Sequence, residues 1–181
     1  MRYVVAIAVA ITAFLGTAPA AAPGPAANVE RRTTLEAAVV REMNRVRIAE
    51  GLRPLHAAPS LRAAARGHSR AMLEHGFFGH DSLDGTAFND RIRRHYTNRG
   101  WKMWSVGEAL LATMGNTVQA QAIVKAWLDS PSHREIILSP TWRDAGIGAL
   151  YAPTAPQEYR GAETIVVTAD FGVREGKVTP S

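Results

Sequence analysis

Cysteine is absent from all 181 residues of this chain, and its absence excludes several kinds of chemistry. Without cysteine the chain has no disulfide bonds, no thiolate ligands for zinc and no thiol nucleophile. Hydrophobic packing must therefore hold the domain together. The sequence also lacks a Gly-x-Ser-x-Gly nucleophile elbow and a His-Glu-x-x-His zinc helix, so neither common hydrolase motif is present.

Long runs of like charge are missing too, although the formal net charge is +5 at pH 7. The basic residues are scattered along helix-like segments, which argues against nucleic acid as a partner. The densest basic stretch, residues 91–102, interleaves arginines with aromatic rings. It suits either a polyanion or glycan ligand, or an exposed helix followed by a core strand, and the second arrangement is the commoner one.

One long apolar run stands near the N-terminus, where Arg2 precedes residues 4–15 and small residues follow. That order is typical of a secretory signal peptide, and the run is too short to cross a bilayer of about 30 Å as a helix. A retained anchor is the alternative. We expect cleavage near Ala20 or Ala22, a flexible leader over residues 21–33, and no membrane-spanning segment in the mature chain. The mature protein would then be secreted or held in the cell envelope.

Hydrophobic spacing divides the remaining residues, roughly 160 and enough for one domain, into helices followed by strands. Apolar residues recur at helical spacing in 34–50, 60–75 and 117–128, and short helices are expected at 88–96 and 133–138. Thr34 and Ser60 are the expected N-caps, and Gly51 and Gly76 the expected stops. The strand-like segments are 101–106, 145–151 and 164–171, of which the last two read as an antiparallel hairpin. Helices first and strands last predict an α+β fold, and nothing in the sequence predicts more than a monomer.

Three titratable side chains stand in turn or helix-start positions and are the candidates for chemistry. His80 follows two phenylalanines and a glycine, Glu108 follows a glycine at a predicted strand end, and His133 follows a Ser-Pro-Ser segment. Each residue taken singly is weak evidence, because a histidine beside aromatic rings is usually a packing residue. The other histidines are expected to be solvated; they are His56, His68, His75 and His95.

Three short motifs follow one another in an informative order. They are Asn44 and Arg47 in the first helix, the Gly107-Glu108 pair, and the Ser-Pro-Ser-His-Arg segment at 130–134. In this order and spacing the chain resembles the CAP superfamily, the cysteine-rich secretory, antigen 5 and pathogenesis-related proteins, in the cysteine-free form typical of bacterial members. The resemblance covers residues 34–173 and leaves a tail at 174–181. It implies a three-layer α-β-α sandwich.

The resemblance also implies a surface cleft in which two histidines and one or two acidic residues converge. His80 matches the first cleft histidine of the family, Glu108 its Gly-Glu carboxylate, and His133 its second cleft histidine. The family's second acidic residue has no clean counterpart, since Ser130 falls near its place and Asp129 is one residue earlier. Ala109 also stands where the family usually has asparagine.

These three side chains suit two different roles. Two imidazoles and a carboxylate form a ligand set for zinc or another divalent cation. The alternative is a hydrogen-bonded network that holds the shape of the cleft. Catalysis without a metal would need a nucleophile, and the nearest hydroxyls along the chain are Ser82, Ser130 and Ser132, although a serine that precedes a helix is usually a cap.

The sequence therefore predicts a secreted binding or interaction module. Its cleft of His80, Glu108 and His133 would hold a small ligand, a lipid, a cell-envelope component or a metal without turnover. The alternative is a metal-assisted hydrolase that uses the same cleft, with Glu108 as base or ligand and a bound water as nucleophile.

Overall fold

The computed structural model describes residues 5–8 and 28–178, which build one central sheet with helices on both faces. The helices are α1 (Thr33–Ala49), α2 (Pro59–His75), α3 (Phe88–Arg93), α4 (Ala120–Asp129) and α5 (Pro131–Ile137), with a 3-10 turn at Gln157–Tyr159. The strands are β1 (Val5–Ala8), β2 (Glu30–Arg31), β3 (His56–Ala57), β4 (Trp101–Met114), β5 (Asp144–Ala152) and β6 (Thr164–Lys177).

The sheet is built around three long antiparallel strands. Its order is β1-β4-β6-β5-β2, and β3 adds a short parallel pairing to β5. β1 pairs with β4 in parallel, whereas the β4/β6 and β6/β5 pairs are antiparallel. The predicted C-terminal hairpin is confirmed as β5 and β6, and β6 continues past residue 173 as far as Lys177.

Alternation along the long strands divides the core into two layers. Odd-numbered apolar side chains of β4, β5 and β6 pack with α1, α4 and α5. Even-numbered side chains of the same strands face α2 and α3. The chain therefore has the α+β fold and the three-layer α-β-α sandwich expected from the resemblance.

Two glycines in β5 let α2 approach the sheet closely. A β-carbon placed on Gly146 would lie 2.0 Å from the backbone nitrogen of Arg62, and one on Gly148 would lie 2.3 Å from the backbone nitrogen of Arg66. Real β-carbons do not come so near, so only glycine permits this contact. The even-numbered face is thereby sealed against α2, and polar groups on that face are removed from water.

The Asn-x-x-Arg motif of α1 proves to be structural. The Asn44 side chain makes a two-way clamp with the backbone of Leu55, at 3.0 Å to its oxygen and 2.8 Å from its nitrogen. Arg47 is fully buried and donates to the carbonyl oxygens of Arg53, Ile137 and Ser139. These contacts satisfy carbonyls at the end of α5 that the helix itself leaves unpaired.

Two predicted helix caps are wrong. Arg32 is the residue preceding α1, because its backbone nitrogen bonds to the Ala149 oxygen of the sheet and the helix begins directly afterwards. α2 begins at Pro59, whose fixed φ suits the first helical position, and so Ser60 already lies inside it. Gly76 does end α2, with a left-handed φ of 66°.

Most of the predicted signal peptide and leader lies outside the described residues. Of residues 1–20 only Val5–Ala8 are described, as strand β1, and of the leader 21–33 the description starts at Asn28. Within the described part of the chain, every helix is too short or too polar to cross a membrane.

Candidate functional site

Glu108 lies inside β4, although the sequence placed it at a strand end. It is an even-numbered residue, so its side chain faces the layer of α2 and α3, and it is completely buried there. A charged group in such a position needs charge-assisted partners to offset its lost hydration.

Two side chains supply those partners. The Nδ1 atom of His80 lies 2.7 Å from Oε1 of Glu108, and Nη2 of Arg91 donates to Oε2. Nη2 of Arg91 also contacts the backbone oxygen of His80, at 3.2 Å, which ties α3 to the histidine turn. The His80 ring packs at a tilt against Phe88, 6.0 Å between centroids. The predicted association of His80 with Glu108 is thus present, and we call these two residues the imidazole–carboxylate pair.

The protonation states in this pair follow from its partners. Burial acts to raise the pKa of Glu108, but the His80 hydrogen bond and the positive charge of Arg91 outweigh it and leave that pKa below its ordinary value. Glu108 is therefore a carboxylate at neutral pH, and Nδ1–H of His80 is the donor between them. In neutral His80 this leaves a lone pair on Nε2, a buried atom with no hydrogen-bond partner among the described residues.

His68 belongs to the same neighbourhood, although the sequence analysis expected it to be solvated. It is 1% exposed, and its Nε2–H donates to the Gly79 oxygen at 2.8 Å, one residue before His80. Burial lowers the pKa of His68 to about 4, so its ring is neutral at pH 7. The expectation fails because α2 is buried along its sheet-facing side, where His68 stands next to Ser69 and four residues before Met72. The prediction of exposure is confirmed for His56, His75 and His95.

Arg91 is the second residue that the sequence analysis misplaced. It was assigned to an exposed basic stretch, but its side chain is only 11% exposed and contacts Glu108. The missed signal is spacing: Phe88, Arg91 and Ile92 stand at i, i+3 and i+4, which puts Arg91 on the buried side of α3.

Asp170 is the third missed residue. It is completely buried on β6, directly opposite Glu108 in the antiparallel register, and its Oδ2 lies 4.0 Å from Nη1 of Arg91. It sits in an apolar β-rich run whose pattern gave no sign of a polar site.

His133 is buried on α5, in the layer on the odd-numbered face of the sheet. Its Nδ1 lies 3.0 Å from the Ser130 hydroxyl, which is also 3.2 Å from the Ser132 hydroxyl. Ser130 occupies the N-cap position of α5, as expected, but its side chain makes no cap hydrogen bond. The joining of His133 to the imidazole–carboxylate pair stays a prediction.

The geometry of the described residues tests two of the predicted chemistries, metal binding and a serine nucleophile. Among residues 5–8 and 28–178, no group of three or more His, Asp or Glu side chains is arranged to hold a metal ion, so the predicted set of His80, Glu108 and His133 is not preformed. No hydroxyl of the described residues bonds Nε2 of His80, and Ser82 is therefore not aligned with it as a nucleophile.

Comparisons with known proteins agree with this fold. The model of the cysteine-rich secretory protein family, CAP, matches residues 40–171. Two proteins of Bacillus subtilis (strain 168) are similar: the uncharacterized membrane protein YlbC is 28% identical over 65% of this chain and 32% of its own length. The uncharacterized protein YkwD is 30% identical over 62% of this chain and 41% of its own length. This chain therefore spans only about a third to two fifths of those relatives.

Two solved structures share the fold. An extracellular SCP-domain protein from Bacillus anthracis str. Ames superposes with a TM-score of 0.60 and 23% identity, over 79% of this chain and 41% of that one. An outer surface protein from Borrelia burgdorferi superposes with a TM-score of 0.61 and 21% identity, over 82% of this chain and 98% of that one. Since the family model matches most of the chain, this protein belongs to the cysteine-rich secretory protein (CAP) family.

Proposed function

We propose that this CAP domain is a binding module of the extracellular or envelope space, whose site at His80 takes a small polar ligand without turnover. One observation carries the proposal: Glu108 fixes the His80 ring, and the Nε2 atom that results is buried and unpaired. Buried polar atoms are nearly always hydrogen-bonded, so an unpaired one calls for a partner from outside the described residues.

The chemistry of the site narrows the ligand class. In the neutral form of His80, Nε2 accepts a hydrogen bond, which a hydroxyl or N–H group of the ligand would donate. Arg91 adds two further buried donors, Nε and Nη1, that have no partner among the described residues. A small hydroxyl- or amide-bearing molecule meets both demands, whereas a lipid tail meets neither.

Export is part of the proposal and has separate support. The N-terminal apolar run has the order of a signal peptide. The two proteins of similar fold are described as extracellular and as an outer surface protein. The B. subtilis relative YlbC is described as a membrane protein, so attachment to the envelope is an alternative to release.

The second candidate is a hydrolase, and the imidazole–carboxylate pair itself favours it. A carboxylate that orients an imidazole is the arrangement used in general-base catalysis. Because no serine in the described part of the chain bonds Nε2 of His80, the nucleophile would be water. The metal-assisted form predicted from the sequence would further require His133 to join the pair and complete a ligand set.

A double variant, H80A/H133A, separates these functions, with H75A/H95A as the matched control because both of those histidines are exposed. Circular dichroism first shows that each variant is folded. Polyol and small-amide probes are then added at increasing concentration while the side-chain N–H signals of Arg91, and the His80 ring signals where that ring is present, are followed by NMR. We expect saturable shifts in the native chain and the control, and none in H80A/H133A.

Two outcomes would reject the binding module. One is that no polyol or amide probe shifts the His80 signals. The other is turnover of ester or amide substrates by the native chain that is lost in H80A/H133A, which would establish the hydrolase instead. Elemental analysis and a zinc titration on the same samples test the metal-assisted form, since stoichiometric zinc that is lost in H80A/H133A and falls away below about pH 6 would demonstrate coordination.

A further inference from the structure

Asp170 and Glu108 place two carboxyl groups side by side inside the protein. They are register partners on β6 and β4, and both are 0% exposed on the same face of the sheet. Directly opposite residues in an antiparallel pair have β-carbons about 5 Å apart, so their carboxyl groups are within contact distance.

Arg91 is the cation that reaches both groups, and a neutral His80 adds no further positive charge. Arg91 donates to Glu108 through Nη2 and reaches Asp170 only at 4.0 Å through Nη1. Two ionised carboxylates would therefore leave one buried negative charge uncompensated, at a high cost in lost hydration. One proton bound by the pair removes that excess charge.

The hydrogen bonds decide which carboxyl group carries the proton. Glu108 accepts from two charge-stabilising donors, His80 and Arg91, whereas neither oxygen of Asp170 has a partner among the described residues. Burial, together with the negative charge of Glu108, also raises the pKa of Asp170 well above its ordinary value.

We propose that Asp170 is the second acidic residue of the site: a neutral carboxylic acid that donates its O–H to Glu108 and thereby positions the imidazole–carboxylate pair. The resemblance to the family implies such a residue near the end of α4. There Asp129 is exposed and paired with Lys125, so β6 supplies the acid instead. With the Asp170 hydroxyl, Glu108 has three donors and one fixed orientation, which in turn fixes Nε2 of His80. This role rests on the proposed function of that site.

Difference infrared spectroscopy in H2O and D2O at pH 7 tests the proton directly. A buried carboxylic acid gives a carbonyl-stretch band that a carboxylate does not give. We expect this band in the native chain and in the control D129N, and its loss in D170N. The proposal is overturned if the native chain shows no such band, or if D170N retains it.

A second measurement tests positioning. The Nδ1 proton of His80, hydrogen-bonded to a carboxylate, should give a downfield NMR signal that survives exchange with water. D170N keeps a donor for Glu108 and should keep the signal, whereas D170A removes the donor and should lose it. An unchanged signal in D170A would contradict the positioning role.

If D170A does not fold, the comparison of the native chain with D170N still decides the proposal. The two claims also fail separately. If the native chain shows the acid band but binds no polyol or amide probe, the assignment of the proton to Asp170 stands and the proposed binding function is rejected.

Discussion

Acid should destabilise this protein in part through the buried imidazole of His68. Burial lowers its pKa from 6.5 to about 4, while the charge of Glu108 acts to raise it and the charges of Arg91 and His80 act to lower it. The unfolded chain therefore binds a proton on His68 at a higher pH than the folded chain does. Between these two pKa values the unfolded state holds more protons, so the free energy of unfolding must fall as the pH is lowered.

The size of the effect follows from the shift. A separation of about 2.5 pKa units corresponds to a loss of about 3 kcal/mol in the free energy of unfolding once the pH lies below both pKa values. Between pH 7 and pH 5 the loss should already be about 2 kcal/mol, a large part of the stability of a small domain.

Urea unfolding of the native chain and of H68Q, at several pH values from 7.5 to about 4.5, measures this contribution. The glutamine amide retains a donor for the Gly79 oxygen but does not titrate. We expect H68Q to lose about 2 kcal/mol less than the native chain between pH 7 and pH 5, and the control H75Q, exposed at the end of the same helix, to follow the native chain. Equal acid sensitivity of H68Q and the native chain would refute the assignment.

Three further predictions use the same unfolding assay. Gly148→Ala should lower the free energy of unfolding by about 3 kcal/mol because α2 must move away from the new methyl group. Gly67→Ala places its methyl group in open space on the same helix and should raise the free energy of unfolding by up to about 1 kcal/mol. Equal effects of the two substitutions would contradict the close packing of α2 on the sheet. Arg47→Met should lower the free energy of unfolding by about 3 to 5 kcal/mol because three carbonyl oxygens lose their donor. A loss below about 1 kcal/mol would be inconsistent with those hydrogen bonds. Glu108→Gln leaves Arg91 without its carboxylate partner and should lower the free energy of unfolding by about 3 to 5 kcal/mol at pH 7; the difference should shrink below about pH 4.5, where the unfolded native chain binds a proton on Glu108 before the folded chain does.

The helices and the final hairpin could be predicted because their signals are local. Apolar spacing located the three longest helices to within a few residues, the two short helices were predicted near their observed positions, and β-rich composition located β5 and β6. The strand at 101–106 was predicted too short, since its continuation through Gly107-Glu108 is stabilised by pairing with β6, which lies far along the chain. Pairing of that kind leaves no local pattern.

The site was predicted only in part, for the same reason. His80 and Glu108 were identified from turn context and from the resemblance to the CAP family. The helical spacing of Arg91 and His68 carries a local signal of burial that was missed, whereas nothing local separates Asp170 from the packing residues of its apolar run. They become site residues because α2, α3 and β6 are packed around one strand.

The sequence by itself determined where the helices and the final hairpin form and that no cysteine chemistry is available, because both depend on residues close together or on composition. The tertiary structure alone decided which charges are buried and which partners they have. Burial and contact between distant segments set the protonation states of Glu108, Asp170 and His68, since the cost of a buried charge depends on what surrounds it and not on its neighbours in the chain.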